Sequence, residues 1–382
     1  MRTRDRPPSA LADGGKERAR RILAAVAAST PLESIIQRAA AEAGFDLAGI
    51  APAGGLPELD LFPGWIAQGR AGEMAYLAAR DAEGGLKRAS LARVAPWARS
   101  VVVCALNYST NAPYSIESND SSRGWISRYA FSGGDYHDAV MSRLEKVEAA
   151  VQQARPEAQT RRYVDTGPIA ERVYAKYAGI GWIGKNTCIL NERLGSWLFL
   201  GVILTSLELA PGLPPPDRCG TCTACLDACP TFAFPAPYQL DASRCISYLT
   251  IEKRGVIPEE LRERMGRHVF GCDICQDVCP WNGETGRAAP VTSAPEFQPR
   301  ADLVNPPLDE LAAMTPDDFR RRFRGSAIRR AKYSGLRRNV AVAMGNSGDP
   351  AFVPQLEKLA ADPDLVVAEH ARWALARLRL SS

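Results

Sequence analysis

The sequence predicts a chain of three parts: an α/β region, a short cysteine-rich region and an α-helical region. Three observations carry that reading. Strand-like apolar runs alternate with runs of helical period between about residues 30 and 210. Eight of the ten cysteines then crowd between Cys219 and Cys279. Beyond residue 300 only helical periodicity remains. A length of 382 residues suits two or three domains. At 46% hydrophobic and 24% charged, the composition is that of an ordinary soluble protein, and no apolar run is long enough to span a membrane.

The first 25 residues are basic and polar and read as a tail. No secretory apolar core with a cleavage site follows them, and LAAVAAS reads as part of an amphipathic helix. The α/β region is expected over 26–210. LESIIQRAAAEAGF has helical period and LAGIA reads as a short strand. SVVVCALNY, from Ser100, is a continuous apolar and β-branched run of the kind found in buried strands. A long loop follows to about 134. DYHDAVMSRLEKVEAAVQQARP predicts a helix capped by Asp135 and stopped by Pro156. RRYVDTG predicts a strand ending near Asp165, AERVYAKYAGIG a helix closed by glycine, and SWLFLGVILTSLEL one or two strands.

PGLPPPDR, residues 211–218, is a stiff linker, and the cysteine region is expected over 211–290. The helical region is expected over 291–382. Within it LRRNVAVAMG and VAEHARWALA share a pattern, with AFVPQLEKLA between them, which resembles HEAT-type helical pairs.

The cysteines carry the first chemical inference. CGTCTACLDACP follows C-x2-C-x2-C-x3-C-P, and GCDICQDVCP offers three more thiols. Cys245 completes eight, which suits two [4Fe–4S] clusters of four ligands each in a bacterial ferredoxin-like domain. In such a run the fourth cysteine ligates the other cluster. Cluster A is therefore expected to use Cys219, Cys222, Cys225 and Cys279, and cluster B Cys229, Cys245, Cys272 and Cys275. Eight thiolates and two cores of about +2 each bring the formal charge of +4 near zero. Global charge then argues neither for nor against a nucleic-acid partner. Two zinc sites would use as many thiols, but zinc motifs set their CxxC pairs further apart. Cys104, in an apolar strand, reads as a small buried hydrophobe, and Cys188 is assigned to neither cluster.

With these motifs in view, the chain resembles the epoxyqueuosine reductases of queuosine-tRNA biosynthesis, over about residues 30–345. The resemblance rests on RYAFSGGDYH (Arg128–His137), RYVDTGPIAER (Arg162–Arg172), GWIGKN (Gly181–Asn186), GSWLFLG (Gly195–Gly201), the double cysteine pattern and RCISYLTIE (Arg244–Glu252). It implies an α/β domain of reductive-dehalogenase-like architecture that binds base-off cobalamin. It implies electrons passed through two clusters to cobalt, from an external donor. It implies a substrate tRNA whose epoxide is reduced at the wobble base with loss of water.

The resemblance also assigns residues. Asp165 matches the catalytic acid, and donating a proton near neutrality calls for burial of its carboxyl. Arg128, Tyr129, Tyr136 and His137 are expected to border the cofactor or substrate cavity, with Gly133 and Gly134 allowing close approach. Lys185 and Asn186 are expected near the cofactor's phosphate tail, and Ser247 and Thr250 near the corrin. The run from Arg320 to Arg338 holds nine basic residues and no acid. Arg329, Arg330, Lys332, Arg337 and Arg338 are expected to contact tRNA phosphates. A monomeric cytoplasmic enzyme is expected. A dehalogenase-like enzyme acting on a small molecule, an electron-transfer module and a non-catalytic iron–sulfur RNA-binding protein are the alternatives.

Overall fold

The computed structural model describes residues 31–283 and 289–381, so the N-terminal tail and the LAAVAAS helix lie outside the described residues. Helix α1 (Pro31–Glu42) leads into strand β1 (Leu47–Pro52). Strand β2 (Ser100–Asn107), helix α2 (Tyr136–Ala154), strand β3 (Thr160–Tyr163), helix α3 (Glu171–Tyr177) and strand β4 (Leu198–Thr205) complete the α/β layer. Asp135 caps α2 by accepting the His137 N–H, and Gly179, at φ +77°, closes the turn after α3.

The sheet runs in the order β1-β2-β4-β3, and every pair is antiparallel. Strand–helix alternation in sequence often signals parallel strands. Here β1 and β2 are joined by a long irregular segment, so no helical crossover sets them parallel. Strand β2 is buried throughout because both faces are covered. Val102, Cys104 and Leu106 face α1 and α2, while Val101, Val103 and Ala105 face α3, the two-residue period of a strand. Strand β3 pairs Tyr163 with Val202 and then leaves the sheet, which delivers the chain to Asp165 at the sheet edge.

The cysteine region carries helix α4 (Ala224–Asp227), helix α5 (Ile246–Ile251), strand β5 (His268–Phe270) and helix α6 (Ile274–Asp277). Strand β5 pairs in parallel with the short strand Trp125–Ile126, which ties this region to the α/β part. The chain ends in helices α7 (Leu308–Ala313), α8 (Pro316–Arg322), α9 (Lys332–Ser347), α10 (Val353–Ala360) and α11 (Leu365–Ser381). Their core is shared: Leu336, Val340 and Ala371 pack in one cluster with Ile126, Phe131 and Phe270.

The junction is fixed by two buried polar side chains of α9. Arg338 donates to the carbonyls of Leu249, Lys253 and Gly255, and Asn339 donates to those of Thr250 and Val269. Carbonyls at the end of α5 have no partner within the helix, so these bonds satisfy groups that burial would otherwise strand. Arg338 is 1% exposed, and the phosphate contact expected of it is thereby corrected: its guanidinium is an interior fastener.

Candidate active site and cluster loops

Asp165 sits on the loop between β3 and α3 at φ +54°, a left-handed conformation uncommon for a non-glycine residue. Thr166 N–H donates to Val164 O at 2.6 Å, so the chain reverses tightly around Asp165. Gly167 must be glycine, because a Cβ there would lie 2.5 Å from the Tyr163 ring. The expected burial of Asp165 is not observed: its side chain is 68% exposed, because the chain has left the sheet after Tyr163.

The start of α2 faces this loop. Tyr136 Oη donates to Asp165 Oδ2 at 3.0 Å, and its ring stacks on Phe199 of β4 at 4.4 Å and on His137 at 4.0 Å. Burial pushes the Tyr136 hydroxyl far up, and the charge of Asp165 adds to the effect, so it acts as a neutral donor. His137 Nδ1 lies 2.6 Å from Asp135 Oδ1, and its Nε2 lies 3.9 Å from Asp165 Oδ2. Burial draws the imidazole down, but Asp135 and Asp165 outweigh it and the net shift is upward. Tyr129 packs edge-on against Tyr136 at 5.9 Å.

Two further residues connect this turn to its surroundings. Arg172, beside Glu171 on α3, donates to Thr187 O at 3.1 Å and feels the charges of Cys188, Asp165 and Cys275. Through Thr187 it is joined to the segment whose Asn186 donates to Cys275 O in the second cysteine loop. Tyr76 is 46% exposed, with the guanidinium of Arg330 5.5 Å and that of Arg88 5.9 Å from its ring centre. Burial raises its hydroxyl, and the charges of Glu252 and Asp165 add to the shift.

The eight thiols fall into two groups. Cys219, Cys222, Cys225 and Cys279 line one cavity of about 300 Å³, together with Lys185, Asn186 and Trp281. Burial and the charges of Cys219 and Cys222 push the Cys225 thiol up to about 11. Cys279 is pushed up to about 12 by burial and by Cys225 and Cys219. In the other group Cys245 and Cys272 pack in one apolar cluster. Cys229 acts on both, and Cys272 and Cys245 act on Cys275. Thiols that raise one another need a cationic partner to ionise together. The cavity fits a cubane better than one zinc ion, which draws its sulfurs to about 2.3 Å. Among the described residues no three Cys, His, Asp or Glu side chains converge on a single-ion site.

Several expected cofactor contacts are corrected by their positions. Arg128 is buried and donates to carbonyls of Thr110, Ala112 and Pro113, with Tyr114 and Trp197 against its guanidinium. It organises the 110–113 loop and does not face the cleft. GWIGKN forms a small hairpin, Trp182–Ile183 with Ile189–Leu190, against the first cysteine loop. Lys185 there donates to Gly220 O and Cys222 O, and Asn186 to Cys275 O. Asn186 is 3% exposed, so the phosphate-tail contact expected of it is corrected, while Lys185 is half-buried and engaged with the first cysteine loop. Thr250 is fully buried, donating to Ile246 O and accepting from Gly271 N–H, so it makes no corrin contact. Ser247 is partly exposed and hydrogen-bonds the Cys245 sulfur. Gly134 would admit a Cβ without contact, and at Gly133 a Cβ would meet Arg300.

In the basic run Arg329, Arg330 and Lys332 are exposed, and Arg330 is paired with Glu252. Arg337 is half-buried, engaged by Asp362 and set against Tyr333. Cys104 is fully buried in β2, where burial pushes its thiol up to about 12. Cys188 lies beside Cys275. Glu171, Arg172 and Tyr76 escaped the sequence reading. An acid–base pair opening a helix after VDTGP was a visible signal for the first two; an isolated tyrosine in EMAYLAAR offered none.

Comparison with known proteins places these features in a lineage. Residues 88–166 match the family profile for epoxyqueuosine reductase QueG, and 218–282 match a 4Fe-4S double cluster binding domain. The chain is 43% identical over 321 residues to an epoxyqueuosine reductase of Pseudomonas aeruginosa, covering 82% of this chain and 85% of that one. A solved epoxyqueuosine reductase with an epoxyqueuosine-modified tRNA-Tyr stem loop superposes with a TM-score of 0.80 at 32% identity, covering 91% and 90% of the two chains. An epoxyqueuosine reductase from Bacillus subtilis, with its catalytic aspartate loop swung out of the active site, superposes equally well at 31% identity over the same shares. Identity sustained over most of each chain and superposition over nine-tenths of both lead to one conclusion: this chain belongs to the epoxyqueuosine reductase family.

Proposed function

We propose that this chain reduces epoxyqueuosine to queuosine in tRNA, with Asp165 as proton donor, two [4Fe–4S] clusters as the electron path and cobalamin in the cleft between them. The reaction takes up two electrons and two protons, opens the epoxide to an alkene and releases its oxygen as water. The observation that carries the reading is a run of direct bonds: Asp165 N–H to Glu171, the neighbouring Arg172 to Thr187 O, and Asn186 of the same hairpin to Cys275 O. The acid and the cluster thiols are thus joined through one hydrogen-bonded segment.

The residues fit the implied groups. Cys219, Cys222, Cys225 and Cys279 would hold cluster A around their common cavity. Cys229, Cys245, Cys272 and Cys275 would hold cluster B, nearer the cleft, with Ser247 hydrogen-bonded to one sulfur. Tyr136, His137 and Tyr129 would form one wall of the corrin site and Arg172 another. Bound cobalamin supplies a strongly reducing, nucleophilic metal centre fed one electron at a time by the clusters.

The chain's own part is acid chemistry and positioning. Epoxide oxygen leaves readily only when protonated, and Asp165 would supply that proton, with bound cofactor and substrate giving its carboxyl the burial a donor needs near neutrality. Tyr136 fixes one oxygen of that carboxylate, and His137 stands behind it, oriented by Asp135. Arg329, Arg330 and Lys332 offer exposed cations for phosphates, and Arg330 borders the Asp165 cleft through Tyr76. Helices α9 to α11 support that surface in a HEAT-like arrangement. No described helix is long and apolar enough to cross a membrane.

The test is turnover by anaerobically reconstituted protein given cobalamin, a low-potential reductant and tRNA bearing epoxyqueuosine. Nuclease digestion and mass analysis should show a nucleoside lighter by one oxygen. An unchanged nucleoside, with both clusters and the corrin in place, contradicts the proposal.

A further inference from the structure

Asp165 raises a problem of position. A carboxylate on an exposed turn, 68% accessible, needs something to hold it toward its target. The turn itself resists: an L-residue at φ +54° crowds its Cβ against the backbone. The Tyr136 bond holds the side chain only. The backbone of Asp165 has one side-chain anchor, since its N–H donates to Glu171 Oε1 at 2.7 Å. Glu171 is itself placed by α3, which packs through Tyr174 and Ala175 beneath the sheet.

We propose that Glu171 is a latch: by accepting the Asp165 N–H it holds the reversed turn and keeps the acidic side chain against Tyr136. The inference rests on the reading of Asp165 as the proton donor. Glu171 is a positioning residue and touches no substrate. The charge state of the latch fits its task. Burial pushes the carboxyl up to about 8, and the charge of Asp165 adds to the shift. The Asp165 N–H, Arg88 and Arg172 oppose it. Tyr136 and His137, at the start of α2, also feel its charge. A carboxyl raised in this way carries less charge than an ordinary glutamate, which suits an acceptor bound to the Asp165 N–H at 2.7 Å.

Two substitutions separate a latch from an acid. Glu171→Gln keeps a carbonyl acceptor and cannot ionise, whereas Glu171→Ala removes the acceptor. In reconstituted enzyme with the modified stem loop, Glu171→Ala should lose about 10- to 100-fold in kcat with little change in KM. Glu171→Gln should stay within about threefold of the parent near neutrality and should hold that rate to higher pH. Amide exchange in a peptide covering the Asp165 turn should quicken in Glu171→Ala and not in Glu171→Gln. Cluster and corrin absorption should be the same in all three proteins. A Glu171→Ala enzyme with parental kcat and parental exchange overturns the latch. So does a Glu171→Gln enzyme as slow as Glu171→Ala, which would assign Glu171 to proton transfer. Asp165→Asn, assayed alongside, separates the two ideas. If it is inactive while Glu171→Ala is unaffected, only the latch fails; if it is active, the reading of Asp165 fails and the latch with it.

Discussion

The Asp165 turn and the Arg338 junction are built in opposite ways. Asp165 is mostly exposed, sits in an unfavourable backbone conformation, and is held by one bond to its side chain and one to its backbone. Arg338 is buried and saturated, with carbonyls from three residues and Asn339 around its guanidinium. Burial draws that guanidinium down only to about 10, so it stays cationic. The contrast separates two uses of charge. The many-bonded charge is architecture that joins the helical region to the Cys245 helix. The few-bonded charge is free to meet a substrate, and a pre-strained turn beside a rigid sheet is a usual place for chemistry.

The cysteine loops belong with the rigid side of this comparison, and breaking them should have the largest effect. Cys279→Ala and Cys225→Ala should remove the same electron paramagnetic resonance signal, while Cys229→Ala and Cys272→Ala remove the other. Iron should fall from about eight per chain toward four in each. Activity should fall to background. A Cys279 substitution that spares the Cys225 signal and removes that of Cys272 would undo the crosswise grouping.

Arg338→Ala comes next. It strands buried carbonyls of α5, at a cost of about 3 kcal/mol. The thermal midpoint should drop by several degrees while kcat per folded molecule holds. Equal stability would mean that the junction is not held as described.

Glu171→Gln should show a gain on the other side of the comparison. A carboxyl at about 8 in the folded chain, against an ordinary value of 4.5, resists an ionisation that the unfolded chain completes. The parent therefore loses stability as pH climbs between those values. The amide variant should be more stable at pH 8, and the advantage should vanish by pH 4. A difference independent of pH would contradict the raised carboxyl.

The smallest effect should be on tRNA. Arg330→Ala should weaken binding of the modified stem loop a few-fold and reduce the logarithmic salt slope by about 1. Arg337→Ala, whose guanidinium is engaged by Asp362, should leave that slope alone.

Legibility in the sequence followed the same division. Strand β2, the Asp135 cap and the glycine closing α3 were readable because their signals are local. So was the spacing of the cysteines, since a cluster's geometry imposes it. The basic run was legible as charge but not as surface. One helix turn puts Arg338 inside and another puts Lys332 outside, and only packing against α5 decides which. Lys185 and Asn186 carried the chemistry expected for a phosphate, yet their partners are carbonyls contributed by loops distant in sequence. Tyr76 was silent for the same reason: its role depends on Arg88 and Arg330 meeting across the fold.

The most direct test of the account is single-turnover deoxygenation of epoxyqueuosine-tRNA by Asp165→Asn with both clusters and cobalamin bound. The account predicts a rate about 10²- to 10⁴-fold below the parent, with unchanged iron content and stem-loop affinity. Parental turnover by that variant would contradict it.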